Sequence, residues 1–345
     1  MDVLSEVLRV IRLSGVVYFR GLFTGPWSII SSSPYGLPAK MKPGAESITF
    51  FHIVTAGNCF IGCGKYPPVE IQKGDVIVLA RADQHVLTSD PNLKPIPIKD
   101  IFVPPADGQI AALEYGGGGD ETRFICGYLH SDQRFGPLMD AMPALLCVRV
   151  RTGALILESF PGKERPATST TLEQKADWWQ AAIAHLISEA SAPARGNRAV
   201  LARLSELLFM EVLQWQLAVT EHAHGGWLAG LNDPQIGRAL SLLHADPARA
   251  WTVEELAQRA ATSRSAFAKR FVNLVGDTPM QYLTNWRMHL ARHFLADKKL
   301  SLAEIAIRIG YDSEATFNRA FRREVGSPPA KWRQAKAALS PRQAR

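Results

Sequence analysis

The chain has 345 residues, of which 47% are hydrophobic and 21% charged. This is a globular composition that excludes a largely disordered or collagen-like polymer and predicts two or three domains. The net charge of +7 is unevenly placed: residues 1–230 hold 20 Lys and Arg against 22 Asp and Glu, residues 231–345 hold 19 against 10. A basic final third on a near-neutral body points to a polyanionic partner, nucleic acid or an acidic membrane surface.

At the N-terminus, Val3, Leu4, Val7, Leu8 and Ile11 recur at helical spacing and predict a short amphipathic helix. No stretch reaches 18 uninterrupted apolar residues, so no membrane-spanning helix is expected. No basic segment followed by a clean apolar run suggests export. Four cysteines without an export signal predict reduced thiols in the cytoplasm.

Residues 47–130 read as short strands bounded by Gly, Pro and Asn: Ser47–Thr55, Cys59–Gly62, Val69–Ile71, Asp75–Leu79 and Phe124–Leu129. Strands at this spacing predict a sandwich or small barrel. The stretch from Gly74 to His85 resembles the second cupin motif, a glycine followed eleven residues later by a histidine. Ala80 and Ala82 stand where cupins usually carry Pro and Gly. The resemblance implies a cupin-like domain over residues 1–160. Enzymatic cupins bind a metal through a His-x-His pair, a Glu and the later His. Here the pair is missing and Phe50 stands near the position of the Glu, so no enzyme is expected. His52 and His85 remain as candidates for a metal or effector site, although two imidazoles do not close one. No cofactor is certain; a metal ion or a small-molecule effector is what such a domain would take. Cys59, Cys63 and Cys126 are redox candidates, against the plainer expectation of small buried hydrophobes.

Gly162 to Thr171 reads as a linker. Two helices are predicted after it, 172–190 and 197–220. Residues 161–226 thus form a helical connector, and the apolar stripe of its second helix suits a dimer face. His222, His224, Gly225 and Gly226 mark a joint before the last domain, 227–345.

That domain contains an internal repeat. The segment 252–260 matches 301–309 at an offset of 49 residues. Phe267, Phe271, Gly276, Pro279 and Tyr282 then match Phe317, Phe321, Gly326, Pro329 and Trp332 at an offset of 50. The one-residue slip falls in a turn, where Gly310 suits a positive φ. Thr252 with Glu255, and Ser301 with Glu304, have the spacing of capping boxes. Each copy therefore reads as helix, turn, helix, over about 252–275 and 301–325, with a joining helix from Met280 to Ala296. The second helix of each copy has Phe anchors behind and basic or amide groups in front, a pattern that suits the DNA major groove.

Trp286, Arg287 and Met288, with Ala291 and Arg292, and the run from Ile305 to Phe321 followed by 326–329, are similar to the AraC/XylS family of transcription regulators. The resemblance implies two helix-turn-helix motifs reading successive major-groove segments of promoter DNA. It assigns base contacts to Ser265, Ala268 and Lys269 in the first copy and to Glu314, Ala315, Asn318 and Arg319 in the second. Arg264, Arg322, Arg323, Lys331 and Arg333 fall to phosphates. The whole is expected to be a multidomain α+β chain: an N-terminal cupin-like β-barrel, a helical connector and an all-α double helix-turn-helix. Its expected function is that of an effector-controlled transcription regulator, an activator before a repressor. It would be a homodimer that works with RNA polymerase and has no membrane role. The alternatives are a cupin-type metalloenzyme and a non-specific nucleic-acid binder.

Overall fold

A computed structural model describes the chain except residues 1, 32–44, 65–66, 104–108, 134–135, 152, 161–167, 173–174, 192–195, 220–225 and 340–345. It divides into two compact units that are discontinuous in sequence. One, mostly β, comprises Leu13–Asp132 and Met142–Val219; the other, helical, comprises Met1–Arg12, Gln133–Ala141 and Thr220–Arg345.

The β unit holds β1 (Ser14–Thr24), β2 (Ser28–Ile30), β3 (Ser47–Ala56), β4 (Asn58–Cys63), β5 (Val69–Gln72), β6 (Val76–Leu79), β7 (His85–Thr88), β8 (Ile96–Pro97), β9 (Ala111–Gly116), β10 (Glu121–Ser131), β11 (Leu145–Arg151), β12 (Ala154–Phe160) and β13 (Thr168–Leu172). They form an eight-stranded sheet in the order β13-β12-β11-β6-β3-β10-β1-β9 and a five-stranded sheet in the order β5-β4-β7-β2-β8. One apolar core takes Phe19, Phe23, Phe50, Phe124 and Tyr128 from the larger sheet and Ile29, Ile61, Ile71 and Leu87 from the smaller, with Trp27 just ahead of β2. The predicted strands are all present. β1, β2, β7, β8, β9, β11 and β12 were not anticipated, and β13 occupies the end of the predicted linker, where it pairs with β12.

On the other face of the larger sheet lie α3 (Ala176–Ser191) and α4 (Asn197–Val219), the connector helices, which follow α1 (Val3–Ile11) and α2 (Gly136–Ala141) in the chain. α4 passes close over Gly15 of β1: a Cβ there would lie 2.7 Å from the Ala202 carbonyl oxygen. Covered on both faces, β3 and β6 read as unbroken buried runs, Thr49 to Val54 and Val76 to Leu79, rather than alternating.

The helical unit carries α5 (Trp227–Asn232), α6 (Pro234–Ala245), α7 (Val253–Arg259), α8 (Arg264–Val275), α9 (Pro279–Leu295), α10 (Leu302–Arg308), α11 (Glu314–Val325) and α12 (Pro329–Leu339). The predicted N-terminal helix is α1, which packs on α6 and α9 in this unit. It buries Val3, Leu4, Val7, Val10 and Ile11. The stripe therefore includes Val10, and Leu8 is only half-buried. Gln133 ties the arrangement: its amide donates to the Val10 carbonyl at 3.4 Å, and its Oε1 accepts from His289 Nδ1 of α9 at 2.9 Å. His222, His224 and Gly225 lie outside the described residues.

Candidate nucleic-acid interface and effector region

The repeat read in the sequence is a repeat in space. Ser263 and Ser313 cap α8 and α11, accepting from Ala266 N at 3.3 Å and Thr316 N at 3.2 Å. Gly276 and Gly326 end the same helices at φ 89° and 83°, where a side chain would be strained. Phe267 and Phe271 pack with ring centroids 5.7 Å apart, Phe317 and Phe321 at 5.6 Å. Each pair then meets the aromatic ring of the following helix edge-on: Phe271 with Tyr282 at 5.9 Å and Phe321 with Trp332 at 6.2 Å. Gly310 has φ 84°, and a Cβ there would lie 2.3 Å from the Ala248 carbonyl oxygen. The turn at the one-residue slip therefore needs glycine twice over.

The capping boxes differ between the copies. Ser301 and Glu304 form the complete reciprocal pair. In the first copy Thr252 accepts from Glu255 N, but the Glu255 carboxylate is held by Arg249 and Arg259. Two guanidiniums outcompete a single backbone N–H for that carboxylate.

The joining helix α9 is fixed by polar contacts that the sequence did not announce. Trp227 Nε1 donates to the Tyr282 hydroxyl at 3.1 Å, and that hydroxyl lies 2.7 Å from His244 Nε2. His244 stacks on Trp286 at 4.2 Å. Arg287 donates to the carbonyls of Pro247 at 2.7 Å and Arg249 at 3.0 Å. The Trp286–Met288 stretch thus builds the scaffold rather than the DNA face.

Of the residues expected to meet bases, Ser265, Lys269, Glu314, Ala315 and Arg319 are exposed, and Ala268 and Asn318 half-exposed. Asn318 donates to the Glu314 carbonyl at 3.1 Å and Arg319 to Thr316 Oγ1 at 3.3 Å. Among the residues expected to meet phosphates, Arg264 pairs with Glu254 at 2.7 Å and Arg323 with Glu324 at 2.7 Å, while Arg322 and Lys331 are exposed. Arg333 is half-buried and donates to the Leu300 carbonyl at 2.9 Å. Arg270, on the same helix as Lys269, is turned away to Asp233, the N-cap of α6.

In the β unit the fold joins three of the candidate side chains. His52 Nδ1 lies 2.9 Å from Cys126 Sγ, and His52 Nε2 lies 2.9 Å from His85 Nε2. His85 Nδ1 lies 3.1 Å from the Asp83 carbonyl oxygen and 3.0 Å from Ser31 Oγ. A carbonyl only accepts, so His85 carries its proton on Nδ1 and accepts at Nε2. His52 then donates from Nε2, and Cys126 donates its thiol proton to His52 Nδ1. The result is one directional chain from sulfur to carbonyl. Burial holds His52 well below its ordinary range and His85 down to about 4.

This set does not fit a resident metal. The facing nitrogens of the two imidazoles are engaged with each other, and among the described residues no group of three or more His, Cys, Asp or Glu side chains is placed to hold an ion. Cys59, Cys63, Cys126 and Cys147 are buried free thiols. Burial raises all four, Cys63 to about 11 and Cys147 to about 12, so they are thiols rather than thiolates at neutral pH.

Residues 2–160 match the Cupin family model and residues 256–335 a helix-turn-helix domain model. A putative AraC-like transcription regulator of Streptomyces lividans is 31% identical over 335 residues, covering 97% of this chain and 98% of that one. The chain belongs to the AraC family. The AraC-family regulator is also 32% identical, over 48% of its own length and 58% of the other's, to the RCS-specific HTH-type transcriptional activator RclR of Escherichia coli. The DNA-binding domain of AdpA, solved with a target DNA, is 35% identical, covering 32% of this chain and 98% of that one with a TM-score of 0.30. This AraC-family protein is a DNA-binding transcription regulator, not an enzyme. Among the described residues no helix is long and apolar enough to cross a membrane.

Proposed function

We propose that this regulator binds promoter double-stranded DNA in the cytoplasm as a homodimer and activates transcription with RNA polymerase. Residues 1–160 sense an effector, 161–226 connect, and 227–345 read the DNA. The observation that carries this reading is the duplicated Ser-capped, glycine-terminated helix whose Phe pair is buried and whose opposite face is exposed. Ser265, Ala268 and Lys269, and Glu314, Ala315, Asn318 and Arg319, touch bases. Arg264, Arg322, Arg323 and Lys331 touch phosphates; Arg333 contributes one only by loosening from Leu300. The name of the Escherichia coli relative supports activation rather than repression. Val200 and Leu207, one heptad apart and exposed on α4, with exposed Trp178 on α3, support dimerisation through the connector. Sensing through His52 and His85, or through oxidation of Cys59, Cys63 or Cys126, stands as proposed. The contact with His52 sets Cys126 apart from Cys59 and Cys63, although all three are buried, protonated thiols.

The test is binding to promoter fragments recovered by genome-wide mapping. Preference over random competitor DNA should be about 10³-fold or more. Affinity should fall steeply with salt as phosphate counterions are released. Equal affinity for every fragment would make the protein a non-specific binder.

A further inference from the structure

The two recognition helices share a length and a frame but not a face. α8 and α11 each run 12 residues, from Arg264 to Val275 and from Glu314 to Val325. At the offset of 50, Ser265, Ala268, Lys269 and Val272 of α8 correspond to Ala315, Asn318, Arg319 and Arg322 of α11. The set on α11 presents an amide and two guanidiniums. The set on α8 presents one ammonium, one hydroxyl and two apolar side chains.

Val272 is the unexpected member. It is 39% exposed, whereas Phe267, Phe271 and Val275 of the same helix are buried. At about 100° per residue it stands about 20° from Ser265 and about 40° from Ala268 around the helix axis, inside the arc that Ala268 and Lys269 bound. One turn separates it from Ala268, so the two form an apolar strip on the face proposed to meet bases. Apart from Lys269, little on that face can sort bases by hydrogen bonding. Ser265 is short, and its hydroxyl lies 3.4 Å from the Ser263 hydroxyl that caps the helix. Every base pair shows donors or acceptors in the major groove, but only thymine adds an apolar group there, its C5 methyl. Arg322 is long enough to pass the groove edge and meet a phosphate. The Val272 methyls end close to the helix and can meet only what stands in the groove at their own level.

We propose that Val272 is a further base-reading residue of the first motif, and that with Ala268 it makes this motif a reader of thymine C5 methyls. The inference rests on the reading of α8 as a major-groove helix and gives its half of the site a base chemistry. The two motifs then divide the work. The second sorts bases by hydrogen-bond pattern through Asn318 and Arg319, and the first by apolar contact, with Lys269 as its one long cation. Covering a thymine methyl with Val272 removes apolar surface from water on both partners, and a cytosine at the same place offers an unmethylated edge with nothing to cover.

The experiment uses the full chain and duplexes of the mapped promoter. Deoxyuridine replaces each thymine of the bound site in turn, which removes the methyl and leaves base pairing unchanged. At one or more positions wild type should bind the uracil duplex about fourfold more weakly, the worth of one buried methyl-sized group. These positions should fall in one half of the site. Val272→Ala changes an exposed helix position to a better helix former, so the fold is kept. At the sensitive positions this variant should bind the thymine and uracil duplexes within twofold of each other. Elsewhere in the site uracil should affect wild type and Val272→Ala alike. The proposal is overturned if no thymine is sensitive, if the sensitive positions spread over both halves, or if Val272→Ala keeps the loss. Preference for the promoter over random DNA, measured on the same samples, separates the underlying reading. If that preference persists while uracil is tolerated, only the methyl reading falls. If it is absent, the assignment of α8 to bases falls and the proposal with it.

Discussion

Arg319 stands exposed on α11 and donates to Thr316 Oγ1 at 3.3 Å, a neutral contact within one helix that DNA can displace. A long cation of this kind reads guanine O6 and N7, so Arg319→Ala should cost about 1–3 kcal/mol on the mapped promoter and relax choice at one base pair. Competition binding with single-base promoter variants checks it; equal weakening on random DNA would move Arg319 to the phosphates. Arg333 and Arg270 show where residue chemistry alone misleads. Both are basic and near a recognition helix, but Arg333 serves the Leu300 carbonyl and Arg270 the Asp233 carboxylate. Ala82 gives the reverse lesson. It stands where cupins usually carry glycine, and it still adopts φ 53°. The turn is preserved without the residue that makes it easy.

At the scale of elements, the double helix-turn-helix was legible because its signals are local: caps, anchors and terminal glycines lie within a dozen residues of one another. The cap difference predicts unequal sensitivity. Ser301→Ala breaks a reciprocal capping box and should lower stability by about 1 kcal/mol, up to 2. Gly310→Ala should cost more, because it adds a positive-φ penalty to a clash with the Ala248 carbonyl. Urea unfolding of the full chain measures both, and a neutral Gly310→Ala would mean that the turn relaxes away from Ala248. The barrel was only half legible. β1 follows α1 without a strong turn signal, whereas β11 and β12 do carry a local hairpin signal that went unread, with period-two alternation on either side of Gly153 at φ 79°. The dimer proposal also belongs here. Leu207→Asp should leave the helix intact on its exposed face while raising the protein concentration needed for half-maximal promoter binding at least tenfold. Sedimentation should then find a monomer; an unchanged dimer would place the interface elsewhere.

Across the whole molecule, buried neutral imidazoles set an acid limit. His52 and His85 in the β unit, and His244 and His289 in the helical unit, are all held down by burial, His85 to about 4 and the last two to about 3. An unfolded imidazole takes its proton near pH 6.5. Below that pH the unfolded chain therefore binds more protons than the folded one. Stability is full above about pH 6.5 and falls as pH drops towards about 4. The urea midpoint should decline steadily between pH 7 and 4.5, and a flat midpoint would show these imidazoles to be solvated. The placement of α1 has a consequence of another kind, in the order of synthesis. Its apolar stripe leaves the ribosome well ahead of both its partners, α6 beginning at Pro234 and α9 at Pro279. At about 5–20 residues per second, Val3, Leu4, Val7, Val10 and Ile11 wait roughly 15–55 s for the surface that covers them. During that interval the nascent chain displays a sticky amphipathic helix, a handle for chaperones that the finished protein no longer offers.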